Sequence, residues 1–488
     1  MELDTTLDGP LPPPTPEEST AEGFSSSDAK RAARNAMALT LASISAKGLL
    51  FGWLLVLARW LGTEGYGIYG TIGAMLAIGA TIPELGMGQI VVRDVAKRPQ
   101  DAGRYLASTL ALQPFFATLG YGSLMIAALL LGYSAEIRTL LALAAVSLLI
   151  DALGNMCHNQ LLAIERMVIT AIVSTAHVVV LIGLAALLLS LGGGLWGLYA
   201  ATITAGLLRT GVYWIIAWRG FGIRPVFPVD RMVSRGLVLN GTPLALSAFL
   251  TLTYQHTDKL LSTALIGEES TGQLTAGFVV VFGVIELLST TVLVAVFPMM
   301  SRTFGDGLRE MFEFMIEKLS FFNLVLSLPI AIYISLLAVP LSSLVFGPEY
   351  TRTADILQIL IWYTVVTMVV NVFAQAMLVQ NRQTRLLVIR AGGLVLNVIL
   401  NLILLPTIGV TGAAIATLCA ELVILVLVVR SFAFPAEWWA RVSHHLRRLA
   451  LAGLGLAAVI FLLRMVHPLL AGIAGAPAYL GLVYVTGA

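Results

Sequence analysis

The chain has 488 residues, of which 58% are hydrophobic and 11% are charged, and its formal net charge is +2. Soluble domains are roughly half apolar and a quarter charged, so this composition excludes an ordinary soluble protein and indicates a membrane protein. The two cysteines, Cys157 and Cys419, are too few and too far apart to indicate a disulfide framework or a metal site.

Residues 1–33 are predicted to form a disordered cytoplasmic tail. They contain the run PLPPPTPEEST and have no Lys or Arg before Lys30, which is typical of a solvated, unstructured segment. A cleaved signal peptide would have a basic start and an apolar centre. We therefore expect the first apolar helix to remain in the mature protein.

The remainder of the chain is a series of long apolar stretches. A bilayer core about 30 Å thick requires roughly 20 apolar residues per helical span. The stretches lack the period-two alternation of barrel strands, so an all-α integral membrane protein is predicted. About fourteen transmembrane spans, numbered here in chain order, are expected at 36–60, 66–91, 104–132, 137–163, 167–190, 194–219, 235–265, 272–301, 318–346, 353–380, 384–406, 409–431, 447–466 and 469–486.

The charged loops predict the orientation of these spans. Lys and Arg concentrate in the cytoplasmic loops of membrane proteins. Of the 29 Lys and Arg residues, a chain with a cytoplasmic N-terminus leaves only Arg59, Arg138, Arg352 and Arg464 in its outer loops. With an even number of spans, both termini are then cytoplasmic.

The chain also contains a weak internal repeat. The segment LGTEGYGIYGTIGAML at 61–76 has a counterpart at 266–281, and GLYAATITAG at 197–206 resembles GAAIATLCAE at 412–421. This offset corresponds to six spans, so the two halves share one topology, as in many transporters. The predicted organisation is a six-helix bundle at 34–220, a cytoplasmic linker at 221–234, a second six-helix bundle at 235–431 and two further helices at 432–488.

Span 7 carries the largest set of polar residues. They recur every four positions in two adjacent rows, so they share one helix face. This face is too wide for a single interhelical hydrogen bond, and we expect it to line a water-filled cavity in the outer half of the membrane. The rows are Tyr254, Asp258 and Ser262, and Ser247, Thr251, Gln255 and Lys259.

Several cations lie within or beside the predicted spans. A charge inside a bilayer is costly unless it faces a partner or a cavity, so such residues are candidates for function. Arg and Lys both bind phosphate groups. An alternative is that carboxylates within the spans neutralise them. The predicted substrate-binding cations are Lys47, Arg93, Arg209, Lys259 and Arg390.

Carboxylates within the spans can bind and release protons or sodium ions. We expect a polar cavity with possible coupling to H+ or Na+, whereas structural pairing, for example of Glu421 with Arg209, is the alternative. No metal centre and no cofactor are expected. The residues predicted for this role are Asp151, Tyr254, Gln255, Asp258, Glu286 and Glu421.

Span 2 contains the sequence ATIPELGMGQ. Proline removes a backbone donor from the helix, and neighbouring glycines loosen it further. We therefore predict a kink or hinge at Pro83 and Gly86.

Motifs for catalysis are missing from the sequence. It has no Walker P-loop, GxSxG, HExxH or CxxC motif, and its outer loops are too short for a catalytic domain. We therefore expect neither an enzyme nor a primary ATP-driven transporter.

Two segments carry a resemblance to a known family. In 57–98, a turn with Gly62 and Gly67 precedes the element Glu84-Leu85-Gly86 and then Arg93, while TDKLLSTALIGEESTGQLTAG is followed by VFPMMSR. The first resembles the opening helix pair of bacterial polysaccharide-biosynthesis flippases, the Wzx-like branch of the multidrug/oligosaccharidyl-lipid/polysaccharide (MOP) exporter superfamily. The second is similar to the seventh and eighth helices of that family. The resemblance extends to about residue 430.

The resemblance implies two six-helix bundles around a cavity that opens alternately to each side of the bacterial inner membrane. The implied cargo is an undecaprenyl-diphosphate-linked oligosaccharide, flipped to the outer leaflet for surface polysaccharides such as O-antigen. Its head would cross a cationic cavity while its tail stays among the membrane lipids. Glycan-assembly machinery is a further implied partner, and nucleic acid is not.

Two alternatives remain open from the sequence. A drug or cation antiporter of the same superfamily would have an acid-lined cavity rich in aromatic residues. A non-transporting scaffold of a glycan-assembly complex would have intramembrane charges that pair off completely.

Overall fold

A computed structural model describes residues 26–286, 288, 291–463, 477, 479 and 481, with only the backbone course described at 26–45 and 291–295. All regular structure within these ranges is helical, and no strand occurs there. Eleven of the helices are long and apolar enough to cross a membrane. The predicted all-α membrane fold is confirmed.

The chain forms its helices in the order of the predicted spans. They are Ser26–Gly79, Thr81–Glu84, Met87–Lys97, Ala102–Leu130, Ala135–Ala144, Val146–Ala163, Met167–Ser190, Gly194–Ile215, Arg231–Ile266, Glu268–Ile285, Thr291–Gly305, Arg309–Leu336, Ala338–Val345, Thr351–Val379, Gln383–Ile408, Val410–Val429 and Ala436–Leu463. The first of these is broken at Gly62, where a turn separates spans 1 and 2.

The ends of the chain differ in detail from the predicted spans. The first helix begins at Ser26, so the last residues of the predicted tail are helical, and residues 1–25 lie outside the described residues. The run of Ala and Arg after Ser26 consists of good helix formers. Ala436–Leu463 corresponds to span 13, whereas span 14 lies outside the described residues except for three positions.

Buried apolar clusters lie in both halves of the chain. In the first half, Leu57, Ile137 and Leu198 are buried in one cluster. In the second half, Leu274 and Leu357 belong to a separate cluster. The first cluster also includes Ala276 and Tyr350 of the second half, so apolar packing continues across the interface. The bundle and linker boundaries remain a prediction.

The halves meet through a reciprocal backbone contact at equivalent positions of the repeat. A Cβ atom added at Gly67 would lie 1.8 Å from the Glu268 carbonyl oxygen, and one added at Gly272 would lie 1.8 Å from the Thr63 carbonyl oxygen. The turns before these helices are equivalent too, because Gly62 and Gly267 have φ values of 67° and 92°. Spans 2 and 8 therefore cross without side chains between them.

A tyrosine strengthens this end of the interface. The buried Tyr350, just before span 10, donates its hydroxyl to the Ala58 carbonyl at 2.7 Å and lies 3.1 Å from that of Gly62. Arg59 also donates to the Val345 carbonyl at 2.8 Å. The loop between spans 9 and 10 thus covers the turn between spans 1 and 2.

The other end of the interface contains the predicted kink. The helix stops at Glu84, Leu85 and Gly86 have φ values of 41° and 64°, and a new helix begins at Met87. A Cβ atom at Gly86 would lie 2.6 Å from the Gly241 carbonyl oxygen of span 7. The break at Pro83 and Gly86 therefore lies where the halves touch, and its movement as a hinge stays a prediction.

The reciprocal glycine contact can be tested by adding one methyl group. We expect Gly272→Ala to lower the free energy of unfolding by about 1–3 kcal/mol, because the obstructing Thr63 carbonyl is backbone and cannot rotate away. The matched control is Gly73→Ala, where no atom lies within 4 Å of the new Cβ. Thermal unfolding of the purified protein in detergent measures both, and equal stabilities of the two variants would contradict the contact.

Candidate transport site

Two adjoining polar cavities lie within the second half. The larger, about 380 Å³, is lined by Ser247 and Thr251 of span 7 together with residues of spans 10 and 11. The smaller, about 80 Å³, is lined by Gln255, and Arg390 borders both cavities. The predicted row Ser247, Thr251 and Gln255 therefore faces a cavity.

The position of the larger cavity differs from the expected one. Gln383, the first residue of span 11, lines it, so it lies toward the end predicted to be cytoplasmic rather than in the outer half. The expectation was wrong because the opposite part of the same helix face is covered. Asp258 and Ser262 are 1% and 0% exposed.

Asp258 is held by three donors from spans 11 and 12. Its carboxylate accepts hydrogen bonds from the Asn397 and Asn401 amides at 3.0 and 2.6 Å and from the Thr417 hydroxyl at 2.7 Å. Asn401 Oδ1 is buried and has no hydrogen-bond partner among the described residues. Carboxylate, amide and hydroxyl oxygens are the ligands that hard cations prefer. The cluster thus offers oxygen ligands from three helices.

Glu421 has a different partner set from the one expected. It accepts a hydrogen bond from Tyr254 at 2.6 Å and another from Thr367, beside the smaller cavity. The suggested pairing with Arg209 is wrong, because Arg209 donates instead to Asp151 at 2.7 Å within the first half. Spans 4 and 6 are neighbours there, so the pair forms locally.

The five predicted cations do not line one cavity in this conformation. Lys47 pairs with Glu286 and so joins span 1 of the first half to span 8 of the second. The Lys259 ammonium lies over the Phe278 ring, 5.6 Å from its centroid. Arg209 is paired with a carboxylate, as described above, and only Arg390 of the five borders the polar cavities.

Arg93 lies outside the spans, on the short helix Met87–Lys97. Its guanidinium donates to Asp94 at 2.7 Å, and this hydrogen bond lowers the pKa of the Asp94 carboxyl. Its side chain is 56% exposed, so it forms part of a surface rather than of an enclosed site.

The first half contains a second polar cluster around Arg209. The Tyr213 hydroxyl lies 3.1 Å from His158 Nδ1 and 3.0 Å from the Ser174 hydroxyl. His177 Nδ1 lies 3.2 Å from the Ala205 carbonyl oxygen. Sequence reasoning missed Ser174 and His177, which belong to the strongly apolar span 5.

Span 10 was also missed, although the signal is present. Thr367, Asn371 and Gln375 recur every four residues and contribute to the two cavities. The spacing places them on one helix face. The four-residue spacing of these uncharged side chains is the sequence signal that indicates this side of the site.

An apolar groove of about 610 Å³ lies outside the polar cavities. Phe51 and Leu55 of span 1 line it together with residues of spans 8, 9 and 13, such as Val325 and Ile460. Lys47 precedes Phe51 by one helical turn, so Lys47, Phe51 and Leu55 share one face of span 1. Lys47, with its carboxylate partner, thus lies next to an apolar groove.

Comparison with known proteins identifies the family. The model for polysaccharide biosynthesis proteins matches residues 32–304, and the MatE model matches residues 243–403. An uncharacterized membrane protein of Methanocaldococcus jannaschii is 29% identical over 125 residues, which are 25% of this chain and 24% of that protein. The chain thus matches about a quarter of the length of this curated relative.

Solved structures share the fold. One of the lipid II flippase MurJ in an inward closed conformation has a TM-score of 0.77 and 15% identity, over 92% of this chain and 98% of that chain. An inward-facing multidrug resistance MATE family transporter of the MOP superfamily has a TM-score of 0.64 and 16% identity, over 83% and 95%. At these identities the likeness concerns the fold alone. Since the first family model covers more than half of the 488 residues, the chain belongs to the polysaccharide biosynthesis protein family of the MOP superfamily and is a multi-pass membrane protein with the flippase and transporter fold.

Proposed function

We propose that this protein flips an undecaprenyl-diphosphate-linked oligosaccharide from the cytoplasmic to the outer leaflet of the bacterial inner membrane, for export of a surface polysaccharide. The observation that carries the proposal is the amphiphilic face of span 1. There the Lys47 ammonium lies one turn from the apolar groove lined by Phe51 and Leu55. A lipid diphosphate requires this combination of a cation and a hydrocarbon surface at short range.

In the proposed binding step, the substrate diphosphate replaces the Glu286 carboxylate as the partner of Lys47. The side chains of Lys47 and Glu286 are 58% and 42% exposed, so an entering diphosphate can reach the ammonium and replace the carboxylate. The pair also joins the two halves, so its replacement removes one link between them. Substrate binding would then favour separation of the halves at this level of the membrane.

For the cavity to open alternately to each side of the membrane, the two halves must separate first at one end of their interface and then at the other. The Gly67–Gly272 crossing closes one end, and the contact of Gly86 with Gly241 closes the other. In the proposed cycle, the bundles 34–220 and 235–431 move as units and the break at Pro83 and Gly86 acts as the hinge.

The Asp258 cluster is the proposed site of coupling to Na+ or H+. Its three donors stabilise an ionised carboxylate, and the unpartnered Asn401 Oδ1 offers a further ligand oxygen. A sodium ion would draw spans 7, 11 and 12 together, whereas a proton would weaken the same hydrogen bonds by removing the negative charge.

A drug or cation antiporter is the second candidate, because one cavity fits it. The smaller cavity is lined by the carboxylate of Glu421 and by the aromatic residues Tyr254, Phe282 and Tyr363. The carboxylate and the aromatic rings are groups that bind an organic cation, while Arg390 on the same lining offsets the negative charge of Glu421. The match of the MatE model to residues 243–403 includes the aromatic residues of this lining but not Glu421.

The flippase proposal predicts a specific loss on removal of the span 1 cation. In cells that depend on this protein, we expect Lys47→Ala to reduce surface glycan by about tenfold or more, with lipid-linked oligosaccharide accumulating on the cytoplasmic face, because a charge-assisted phosphate contact is lost. The matched control is Lys97→Ala, an exposed cation outside the spans. Surface glycan and the leaflet location of the intermediate are measured at equal protein levels.

The charge-swapped double variant Lys47→Glu with Glu286→Lys separates the roles of this pair. Restored glycan would mean that the two charges serve only to join the halves, and it would contradict phosphate binding at Lys47. Normal surface glycan in cells lacking the protein, together with increased sensitivity to organic cations, would favour the antiporter instead.

The coupling site predicts a cation effect on stability. We expect NaCl to raise the thermal midpoint of the purified protein by about 2 °C or more relative to equal KCl, because a ligand that binds only the folded state stabilises it. Asp258→Asn should abolish this difference, while Thr242→Ala, an exposed change on the same helix, should retain it. A sodium effect that persists in Asp258→Asn would place the cation elsewhere, and no effect in the unchanged protein would exclude sodium at Asp258.

A further inference from the structure

A separate pocket of about 430 Å³ lies where spans 9, 10 and 12 meet span 13. Its lining is mainly apolar, with Val365 and Phe373 of span 10 and Leu425 of span 12 among the residues. The rim residues Val426 and Leu446 are 47% and 44% exposed, so the pocket opens on the outer surface of the helix bundle. This surface faces lipid in a membrane-spanning protein.

Three polar side-chain atoms at this pocket have no hydrogen-bond partner within the described part of the chain. They are Trp438 Nε1, Ser320 Oγ and His445 Nδ1, and all three residues line the pocket. Trp438 is only 3% exposed, so its N–H is withdrawn from bulk water. A buried donor without an acceptor is costly and uncommon in native structures. The three atoms therefore point to a ligand that supplies acceptor oxygens.

The charges around the pocket favour an anion. Arg430 lines it, while the buried carboxylate of Glu317 is paired with Arg441, whose Nε lies 3.3 Å away. That pair neutralises the one acidic residue of the lining. With Glu317 neutralised in this way, Arg430 leaves the lining with a net positive charge.

The polar end of the pocket is expected at the depth of lipid headgroups. It is close to the junction between the cytoplasmic loop 430–435 and span 13, on the side that the basic loops predict to be cytoplasmic. Trp438 and the 47% exposed Trp439 occupy this junction, and tryptophan is enriched at the interface between lipid and water. Basic pockets between helices on this side bind anionic headgroups.

We propose that this pocket is a binding site for an anionic phospholipid of the inner leaflet. Its phosphate accepts hydrogen bonds from Trp438 and Ser320 and pairs with Arg430, and an acyl chain fills the apolar part beside Phe373. The bound lipid bridges span 13 to the second bundle and so holds the C-terminal addition in place. This site is distinct from the groove beside span 1, and it does not depend on the proposed function.

Native mass spectrometry of the full-length protein, purified in mild detergent and titrated with defined lipids, tests this proposal. We expect phosphatidylglycerol to bind more tightly than phosphatidylcholine. Arg430→Gln and Trp438→Phe should each weaken phosphatidylglycerol binding by about fivefold or more, the effect of losing one charge or donor at a headgroup. The matched control is Arg447→Gln, which removes a nearby cation that does not line the pocket and should change binding by less than about twofold.

The alternatives give distinct results. Equal binding of the two phospholipids, or unchanged binding by both pocket variants, would overturn the proposal. Stronger binding of an undecaprenyl monophosphate than of phosphatidylglycerol, lost in the same variants, would also overturn it, because the pocket would then hold the cargo lipid. Retained thermal stability of Trp438→Phe in lipid-free detergent confirms that a loss of binding is not a loss of folding.

Discussion

The backbone crossing of Gly67 and Gly272 is the constraint on which the arrangement of the two halves depends. Two helices can approach this closely only where neither has a side chain, which is the usual basis of tight packing in membranes. Because the two glycines are equivalent in the repeat, each helix meets the other's preceding turn in the same way. One local geometry, used twice, thus produces a pseudo-symmetric interface without any apolar driving force between the helices.

This interface explains how the charges within the spans are distributed. Arg209 and Asp151 neutralise each other within the first half, while Asp258 is satisfied by neutral donors within the second. Charges satisfied inside one bundle can keep their partners if the bundles move. The Lys47–Glu286 pair instead crosses the interface, so it is an ionic link that separation of the halves would break.

The sequence predicted the parts of this fold that depend on length and local chemistry. Apolar length located the spans, and Pro83 with Gly86 located the break, because both effects act within one helix. Helix rotation and neighbour choice depend on tertiary packing, so the sequence could not show that Lys259 lies over Phe278 or that Glu421 meets Tyr254 rather than a cation. The cavity was predicted on the correct face of span 7 but toward the wrong end of that helix. The periodicity of span 7 cannot show that spans 11 and 12 pack over Asp258.

Span 7 connects the proposed coupling site to the interface between the halves. It carries Gly241, which touches the break at Gly86, and two to five turns further on it carries the cavity row and Asp258. Pro243 lies between them and removes a backbone donor from the helix, so bending is least costly there. If cation binding draws the Asp258 segment toward spans 11 and 12, the part before Pro243 must tilt relative to Leu85 and Gly86. In the proposed cycle, the same helix would link occupancy of the Asp258 site to the contact between Gly241 and Gly86, without a chain of intervening side chains.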